Sequence, residues 1–312
     1  MKSLAIWHQE SDSEEKNEID LHINFWKLPV KKNEFNRFLD IGIKIYDTKK
    51  IKKIFLYIPF IIQKDNIHDL GEIIVKNHDG LLNAIFNESY KIKGGYTSNY
   101  HEITDESGAE ITNIYFLEKD DILLEPMYFG TKVTIELPKN VVKQKTYIRF
   151  RIQTKELDRF SIEQSPISIF NSAFTKMEIF DFRINSFRHL PNKLIEQITE
   201  KSKFSINTRN FFYICSYKEN YILSHKPFNN TRQLEPNIWK PYIKIGQNNF
   251  KYSEDETFIA YHWKQTDILI KTEFEHNNWA TIFKYTAYLS LFTVVMSLLS
   301  NYIFLFLKDN FL

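Results

Sequence analysis

One stretch of this sequence carries no charge at all. Residues 285–307 (YTAYLSLFTVVMSLLSNYIFLFL) form an unbroken run of 23 uncharged, mostly apolar residues. A helix of about 20 such residues crosses the roughly 30 Å hydrocarbon core of a bilayer. The mean hydropathy of the whole chain is only −0.38, so the apolar character is concentrated in this run. We therefore predict one C-terminal transmembrane helix with a short tail over residues 279–308, attached to a soluble body.

Small polar side chains follow one face of this predicted helix. Their successive spacings of four, three, four, three and one residues place them in a single stripe. Such residues let membrane helices approach closely and form hydrogen bonds of roughly 0.6–2 kcal/mol each. The stripe favours self-association of the helices, either sealed or lining a narrow polar path. The alternative is a plain anchor whose hydroxyls bond to their own helix carbonyls. The stripe consists of Thr286, Ser290, Thr293, Ser297, Ser300 and Asn301.

The charge of the body is nearly balanced. A formal net charge of +2 gives no support for direct nucleic-acid binding by the whole body. Local basic clusters do occur, and we interpret them as solvated strand edges or turns in preference to a phosphate-binding patch. The clusters are Lys49, Lys50, Lys52 and Lys53, and Lys145, Arg149 and Arg151.

Cysteine content and flanking segments indicate where the body is located. The single cysteine, Cys215, lies in an apolar run and is expected to be buried, which fits a reducing compartment. The first residues lack the apolar stretch of a signal peptide. Lys271 and Lys284 precede the uncharged run, whereas Lys308 alone follows it, a weak positive-inside bias. We expect a single-pass membrane protein with its N-terminal body in the cytoplasm, at the inner membrane if the source is bacterial.

Alternating apolar and polar residues predict a mainly antiparallel α+β fold. Residues 1–19 form an acidic N-terminal segment, whose residues 9–19 we expect to be mobile or spread over the surface. Residues 20–160 are predicted to form a β-rich, sandwich-like domain, with strands at 39–47, 111–117, 132–137 and 147–154. Pro59 should mark a strand end, a bulge or an edge.

The second half of the chain has a different pattern. We predict a smaller α+β domain over residues 161–277, with its boundary near 156–166. It begins with a strand at 176–187 and a helix opened by Pro191. Two strand pairs should follow, 210–216 with 221–224 and 258–263 with 268–274.

Polar residues around the predicted strand 176–187 form a candidate ligand site. Asp181, Arg183 and Asn185 alternate with apolar residues and so share one face. Arg188 and His189 follow at the turn into the predicted helix. Together these five residues could bind an anionic ligand near a helix N-terminus. The simpler interpretation is an ordinary exposed ion pair with polar neighbours.

Recognisable catalytic motifs are missing from the sequence. The nine histidines show neither zinc-ligand spacing nor an i, i+4 partner, and there is no nucleophile elbow or dinucleotide loop. We therefore predict no metal, no cofactor and no catalytic residues, and we favour a non-enzymatic protein. A nuclease built on scattered carboxylates would nevertheless escape such a search.

These features lead to two hypotheses of function. The first is a membrane-anchored sensor or effector whose body binds a small anionic ligand or a protein partner. Its helices would associate into a homo-oligomer in the lipid bilayer and could permeabilise it, as in a microbial antiviral or stress response. The alternative is a tail-anchored enzyme or scaffold in which the helix only localises the protein.

Overall fold

A computed structural model of the chain confirms the mixed α+β fold with mainly antiparallel pairing. The structure describes residues 3–10, 17–29, 37–76, 80–93, 99–137, 145–166, 169–198, 203–246, 256–264, 267–276 and 279–311. A β-sandwich-like arrangement fits its sheets, and a long apolar helix lies at the C-terminal end of the sequence.

Strands dominate the described part of the body. In chain order they are β1 (Ala5–Glu10), β2 (Glu18–Lys27), β3 (Arg37–Ile45), β4 (Ile51–Ile58), β5 (Ile67–Asp69), β6 (Lys91–Lys93), β7 (Tyr100–Thr104), β8 (Glu110–Tyr115), β9 (Ile122–Met127), β10 (Gly130–Glu136), β11 (Thr146–Ile152), β12 (Ser161–Gln164), β13 (Thr175–Phe182), β14 (Ser205–Ser216), β15 (Asn220–Ser224), β16 (Asn230–Leu234), β17 (Phe258–Trp263) and β18 (Ile268–Glu275).

The helices are short except for the last. They are α1 (Gly71–Lys76), α2 (Leu81–Phe86), α3 (Ile169–Phe174), α4 (Asn192–Gln197), α5 (Pro236–Ile243) and α6 (Trp279–Phe311). Pro191 directly precedes α4, as the sequence predicted. The 33 residues of α6 span about 50 Å at 1.5 Å per residue, more than a bilayer core requires.

A ten-stranded sheet contains most of the described strands. Its order is β16-β17-β14-β2-β3-β11-β8-β7-β6, and β5 pairs with β11 at the side. The pairs β14–β2 and β11–β8 are parallel, and the others are antiparallel. The central strand β2 is buried along nearly its whole length, because both of its faces are covered.

Two four-stranded sheets complete the body. One has the order β1-β4-β10-β9, and the other has the order β12-β13-β18-β15. Pro59 follows the last residue of β4, which confirms the predicted strand end. The expected acidic segment 1–19 needs correction, because β1 pairs with β4 along its length. Residues 11–16 of that segment lie outside the described residues.

Aromatic rings fill the core on one side of the large sheet. Phe25 of β2 packs on Phe180 of β13 with ring centroids 4.3 Å apart. Phe182 lies 5.1 Å from Phe211, and Phe180 lies 5.4 Å from Tyr213. The apolar positions of β2, β13 and β14 therefore face one another, as their period-two patterns require. Cys215 is buried, as expected.

Two predicted strand pairs were wrong. Strand β14 pairs with β2 and β17, whereas β15 lies beside β18 in another sheet. In the same way, β17 and β18 belong to different sheets. In both cases two strands that are close in sequence belong to different sheets, a distinction that local sequence does not encode.

The two compact units of the structure also differ in their residue ranges from the predicted domains 20–160 and 161–277. Strands from both ranges share the ten-stranded sheet. By internal contacts, one unit comprises Met1–Ile162, Ile179–Tyr217 and Leu223–Ile270. The other comprises Glu163–Glu178, Lys218–Ile222 and Lys271–Leu312, and so contains α6.

Candidate functional site

The residues predicted from sequence as a ligand site do not converge. Arg183 forms an ion pair with Asp181, with its Nε 2.9 Å from Oδ1. Asn185 has a left-handed backbone (φ 55°), and its side chain bonds the backbone N–H and carbonyl of Ile6. Arg188 is exposed, and His189 contacts Ser186 at 3.1 Å. Of the five, Asp181 and Arg183 line an open cavity of about 460 Å³.

The interpretation of Arg149 and Arg151 as part of a solvated edge was wrong. Both lie on β11, which is flanked by β3 on one side and by β8 and β5 on the other. Arg149 is 1% exposed and Arg151 is 0% exposed. Lys145, the third member of that basic cluster, is exposed.

Arg151 is fully neutralised inside the protein. Its Nε donates to Oδ1 of Asp40 at 2.7 Å, and its Nη2 donates to Oδ2 at 3.2 Å. Its Nη1 lies 3.1 Å from the carbonyls of Tyr242, Ile243 and Ile245 at the end of α5. This arginine therefore fastens α5 to the sheet, and each of its three side-chain nitrogens donates to a structural partner.

Arg149 has a different environment. Its Nε donates to the hydroxyl of Tyr242 at 2.7 Å, and its Nη1 donates to the hydroxyl of Tyr147 at 2.8 Å. Tyr242 in turn donates to Asp40 at 2.8 Å, and the indole of Trp26 donates to the same carboxylate. Because Asp40 is saturated by these donors, Arg149 reaches a carboxylate only through Tyr242.

Arg149 lines a second cavity, of about 400 Å³, on the ten-stranded sheet. Alternate residues of three neighbouring strands form its floor. His22 is opposite Asn210, and Phe212 is opposite both Asn24 and His262 in the strand register. The period of two therefore places all five side chains on one face of the sheet.

Other elements supply the walls of this cavity. Arg149 comes from β11, Arg232 from β16 and Trp239 from α5. Phe86 comes from the end of α2, and Lys264 directly follows β17. Segments distant in sequence therefore meet at one place, which no local motif could have revealed.

Three buried donors on this cavity lack a hydrogen-bond partner among the described residues. They are Nη2 of Arg149, Nε of Arg232 and the indole Nε1 of Trp239. The Nη2 of Arg232 does donate to the carbonyl of Ala84 at 2.6 Å, so this side chain is held in place. Unpaired buried donors cost about 1–3 kcal/mol each, more when charged, and a ligand acceptor would remove that cost.

The electrostatic balance of the cavity favours an anion. Burial, together with the charges of Arg149, Lys44 and His262, lowers the pKa of His22 to about 3. Burial, with Lys264 and Arg232, lowers the pKa of His262 to about 4. Both imidazoles are therefore neutral near pH 7, and the positive charge comes from Arg149, Arg232 and Lys264. Glu88, at the exposed rim, accepts a hydrogen bond from Tyr90.

This combination of groups is suited to binding. Guanidinium groups bind phosphate or carboxylate through paired hydrogen bonds, and amides and aromatic rings add directional contacts. Across the described ranges, no group of three His, Cys, Asp or Glu side chains is arranged to hold a metal ion.

Three side chains of the polar stripe on α6 form hydrogen bonds within their own helix. Thr286 bonds the carbonyl of Ile282 at 3.0 Å, and Ser290 bonds that of Thr286 at 2.9 Å. Thr293 bonds the carbonyl of Leu289 at 2.8 Å. The hydroxyls in the first half of the stripe are therefore satisfied within their own helix, the arrangement of a plain anchor.

Comparison with known proteins adds no assignment. The sequence matches no protein-family model, and a search of curated proteins gives no significant match. Any functional conclusion must therefore come from the geometry of the chain itself.

Proposed function

We propose that this protein is a membrane-anchored sensor or effector whose body binds a small anionic ligand in the cavity of Arg149 and Arg232. The observation that carries the proposal is a set of three buried donors on one cavity that have no partner in the described part of the chain, two of them on guanidinium groups. A buried charge without a counterion is costly, and sites of that kind are retained where a ligand supplies the missing charge.

The surroundings of Arg149 favour a counterion supplied by a ligand and not by the protein. Asp40 is engaged by Arg151, Trp26 and Tyr242, so its negative charge is directed to the structural pair. Arg232 and Lys264 add positive charge to the same cavity, and among its described lining residues the one carboxylate is that of Glu88, at the exposed rim. A bound anion would balance this excess at the place where the unpaired Nη2 and Nε atoms lie.

The helix α6 supports the anchoring part of the proposal. It is long and apolar enough to cross a membrane, and its large apolar side chains are exposed. Phe292 and Leu298, for example, are 62% and 64% exposed, whereas a core helix of a soluble protein would bury such residues. A bilayer would cover this surface.

We further propose that these helices associate in the membrane. Ser297, Ser300 and Asn301 continue the polar stripe beyond Thr293, and Asn301 facing lipid would be unfavourable. Association would bring these groups together, and ligand binding in a cytoplasmic body would control it. In a microbe such a layout would suit an antiviral or stress effector that compromises the inner membrane, by analogy of architecture.

Anion binding by the detergent-solubilised full chain tests the central proposal. Isothermal titration with inorganic phosphate, citrate and nucleoside monophosphates should identify at least one ligand that Arg232→Gln weakens by about tenfold or more. Arg183→Gln is the matched control, because that arginine lies at the other cavity and pairs with Asp181. Binding that is equally strong in the wild type and the Arg232 variant would refute the proposal.

The alternative, an anchored enzyme or scaffold, gives a different result in the same samples. An enzyme would convert the bound anion into a product, which chromatography of the titrated sample would reveal. A scaffold would show no anion binding at all.

A further inference from the structure

We infer that the cavity recognises a nucleotide, that is, a phosphate group joined to a planar heterocyclic base. This inference rests on the proposed function, because it concerns the same cavity and names the class of its anion. It goes further because the cavity combines cationic groups with aromatic and amide groups in one space of about 400 Å³. That volume lies within the range of about 300–1,000 Å³ for small-ligand sites.

The cationic groups suit a phosphate. Arg149 and Arg232 each have one nitrogen without a hydrogen-bond partner among the described residues, and Lys264 adds a third positive charge at the exposed rim. A phosphate has several acceptor oxygens, so it can accept from two guanidinium groups at once. A neutral sugar or a lipid chain would leave these charges uncompensated.

Aromatic side chains of the floor suit a planar ring. Phe212 and His262 lie stacked, with ring centroids 4.4 Å apart and planes inclined by 9°. The imidazole is held in this orientation by a 2.9 Å contact between its Nε2 and Oδ1 of Asn210. Each ring covers one face of the other, so a planar base could extend this stack on an outer ring face, a contact that aromatic side chains make with nucleobases.

Amide side chains could read the edge of such a ring. Asn24 on β2 and Asn230 on β16 line the same cavity on either side of Phe212 and His262. Each amide presents both donors and an acceptor, the combination that the edges of nucleobases require. Inorganic phosphate or a small carboxylate would make no use of the rings or the amides.

The test compares three classes of probe on the detergent-solubilised full chain. The four common ribonucleoside monophosphates, the corresponding nucleosides and inorganic phosphate are titrated under identical conditions. We expect at least one nucleotide to bind about tenfold or more tighter than both its nucleoside and phosphate. If phosphate binds as tightly as every nucleotide, and binding depends on Arg232, the nucleotide assignment fails while the proposed anion-binding function stands.

Two variants separate the base from the phosphate. Phe212→Leu should weaken nucleotide binding by about tenfold and leave phosphate binding unchanged, since it removes the aromatic ring alone. Lys264→Gln, at the exposed rim, should weaken the binding of both probes.

Thermal unfolding verifies that each variant is folded. Should Phe212→Leu be unstable, Phe212→Tyr keeps the ring and must retain nucleotide binding. Equal loss of both probes in a folded Phe212→Leu protein would overturn the inference.

A single-stranded oligonucleotide with a terminal phosphate distinguishes a free nucleotide from the end of a nucleic acid. We expect it to bind no tighter than the best mononucleotide, because the cavity has room for a small ligand. Clearly tighter binding of the oligonucleotide would contradict a free nucleotide as the ligand.

Discussion

Asp40 and Arg151 form an ion pair inside the ten-stranded sheet, with 2.7 Å between Oδ1 and Nε and neither side chain exposed. The pair connects β3 to β11 and, through three carbonyl bonds of Arg151, to the end of α5. Trp26 and Tyr242 donate to the second carboxylate oxygen. Asp40 is thus the centre of a polar network on which the cavity wall depends.

We predict that Asp40→Asn lowers the free energy of unfolding of the body by about 3–5 kcal/mol. The substitution leaves the charge of Arg151 buried without compensation. Denaturant unfolding followed by tryptophan fluorescence measures the change. Asp65→Asn is the control, because the Asp65–Lys119 pair is largely exposed and should contribute less than about 1 kcal/mol. A similar loss in the two variants would contradict a central role for Asp40.

A second prediction concerns Gly42, which lies between His22 and Arg149 in the strand register. A Cβ atom at this position would approach the hydroxyl oxygen of Tyr147 to 2.2 Å. Gly42→Ala should therefore cost about 1–3 kcal/mol of stability and weaken anion binding, because Tyr147 positions Arg149.

Thermal unfolding and titration of Gly42→Ala measure both effects. Adding Tyr147→Phe removes the clashing oxygen and should restore part of the stability but not the affinity. A Gly42→Ala protein with unchanged affinity would show that this contact does not shape the cavity.

The two cavity histidines predict a dependence of stability on pH. The pKa values of His22 and His262 are about 3 and about 4 in the folded protein, below the ordinary value of 6.5. The unfolded chain therefore binds more protons between these values, and stability should fall as the pH decreases from about 6.5 towards 4. His22→Gln should make this part of the pH profile flatter in thermal unfolding. A profile that is identical in the variant would contradict the assignment.

Anion binding should in turn take up protons. The positive charges of Arg149 and Lys44 lower the pKa of His22, and those of Lys264 and Arg232 lower the pKa of His262. A bound anion would be a negative neighbour of both imidazoles and would stabilise their protonated forms. The affinity for sulfate, whose charge is constant in this range, should rise as the pH falls from 7 towards 5; a nucleoside monophosphate is not suited to this test, because its own phosphate gains a proton at a pH of about 6. Titrations in buffers of different ionisation enthalpy measure the proton uptake directly, and no uptake at pH 5–6 would contradict the coupling.

The stripe on α6 gives a prediction about assembly. Replacing Ser297, Ser300 and Asn301 together with leucine should reduce oligomers of the full chain, because these groups lie beyond the hydroxyls bonded within the helix. Native mass spectrometry in detergent measures the stoichiometry. The control is Thr286→Val with Thr293→Val, whose hydroxyls bond their own helix and whose loss should matter little. Unchanged stoichiometry in the triple variant would favour a plain anchor.

Membrane permeabilisation can be tested in vesicles that contain the full chain and a potassium gradient. A potential-sensitive dye should report depolarisation after addition of the nucleoside monophosphate that binds best. The triple leucine variant should abolish the response while ligand binding persists. Steady polarisation with a saturating ligand would rule out the permeabilising effector.

The sequence predicted strands well where apolar residues lie on one face of the strand and polar residues on the other. The alternation of Ile41, Ile43 and Ile45 located β3, and that of Ile148 and Phe150 located β11. The same rule failed for Arg149 and Arg151, because it assumes that the polar face of a strand meets water. Asp40, the single acidic residue of β3, was the available signal of a buried partner.

The candidate site could not be read from local patterns. Asp181 and Arg183 appeared as a site because they are close in sequence, and that closeness lets them satisfy each other. The cavity instead joins residues of β2, β11, β14, β16 and β17, whose pairing depends on long-range register. The sequence patterns of β14 with β15 and of β17 with β18 resembled hairpins, yet the two strands of each pair belong to different sheets.

The parallel pairing of β14 with β2 has a consequence for biosynthesis. One edge of β2 stays unpaired until residues 205–215 have been synthesised and form β14. The cavity floor also requires β17, which is synthesised later still. Chains emerge from the ribosome N-terminal end first, so the floor is completed only shortly before α6 is made. The proposed ligand cavity and the candidate membrane span are thus completed almost together, and a nascent chain stopped before residue 263 would have neither.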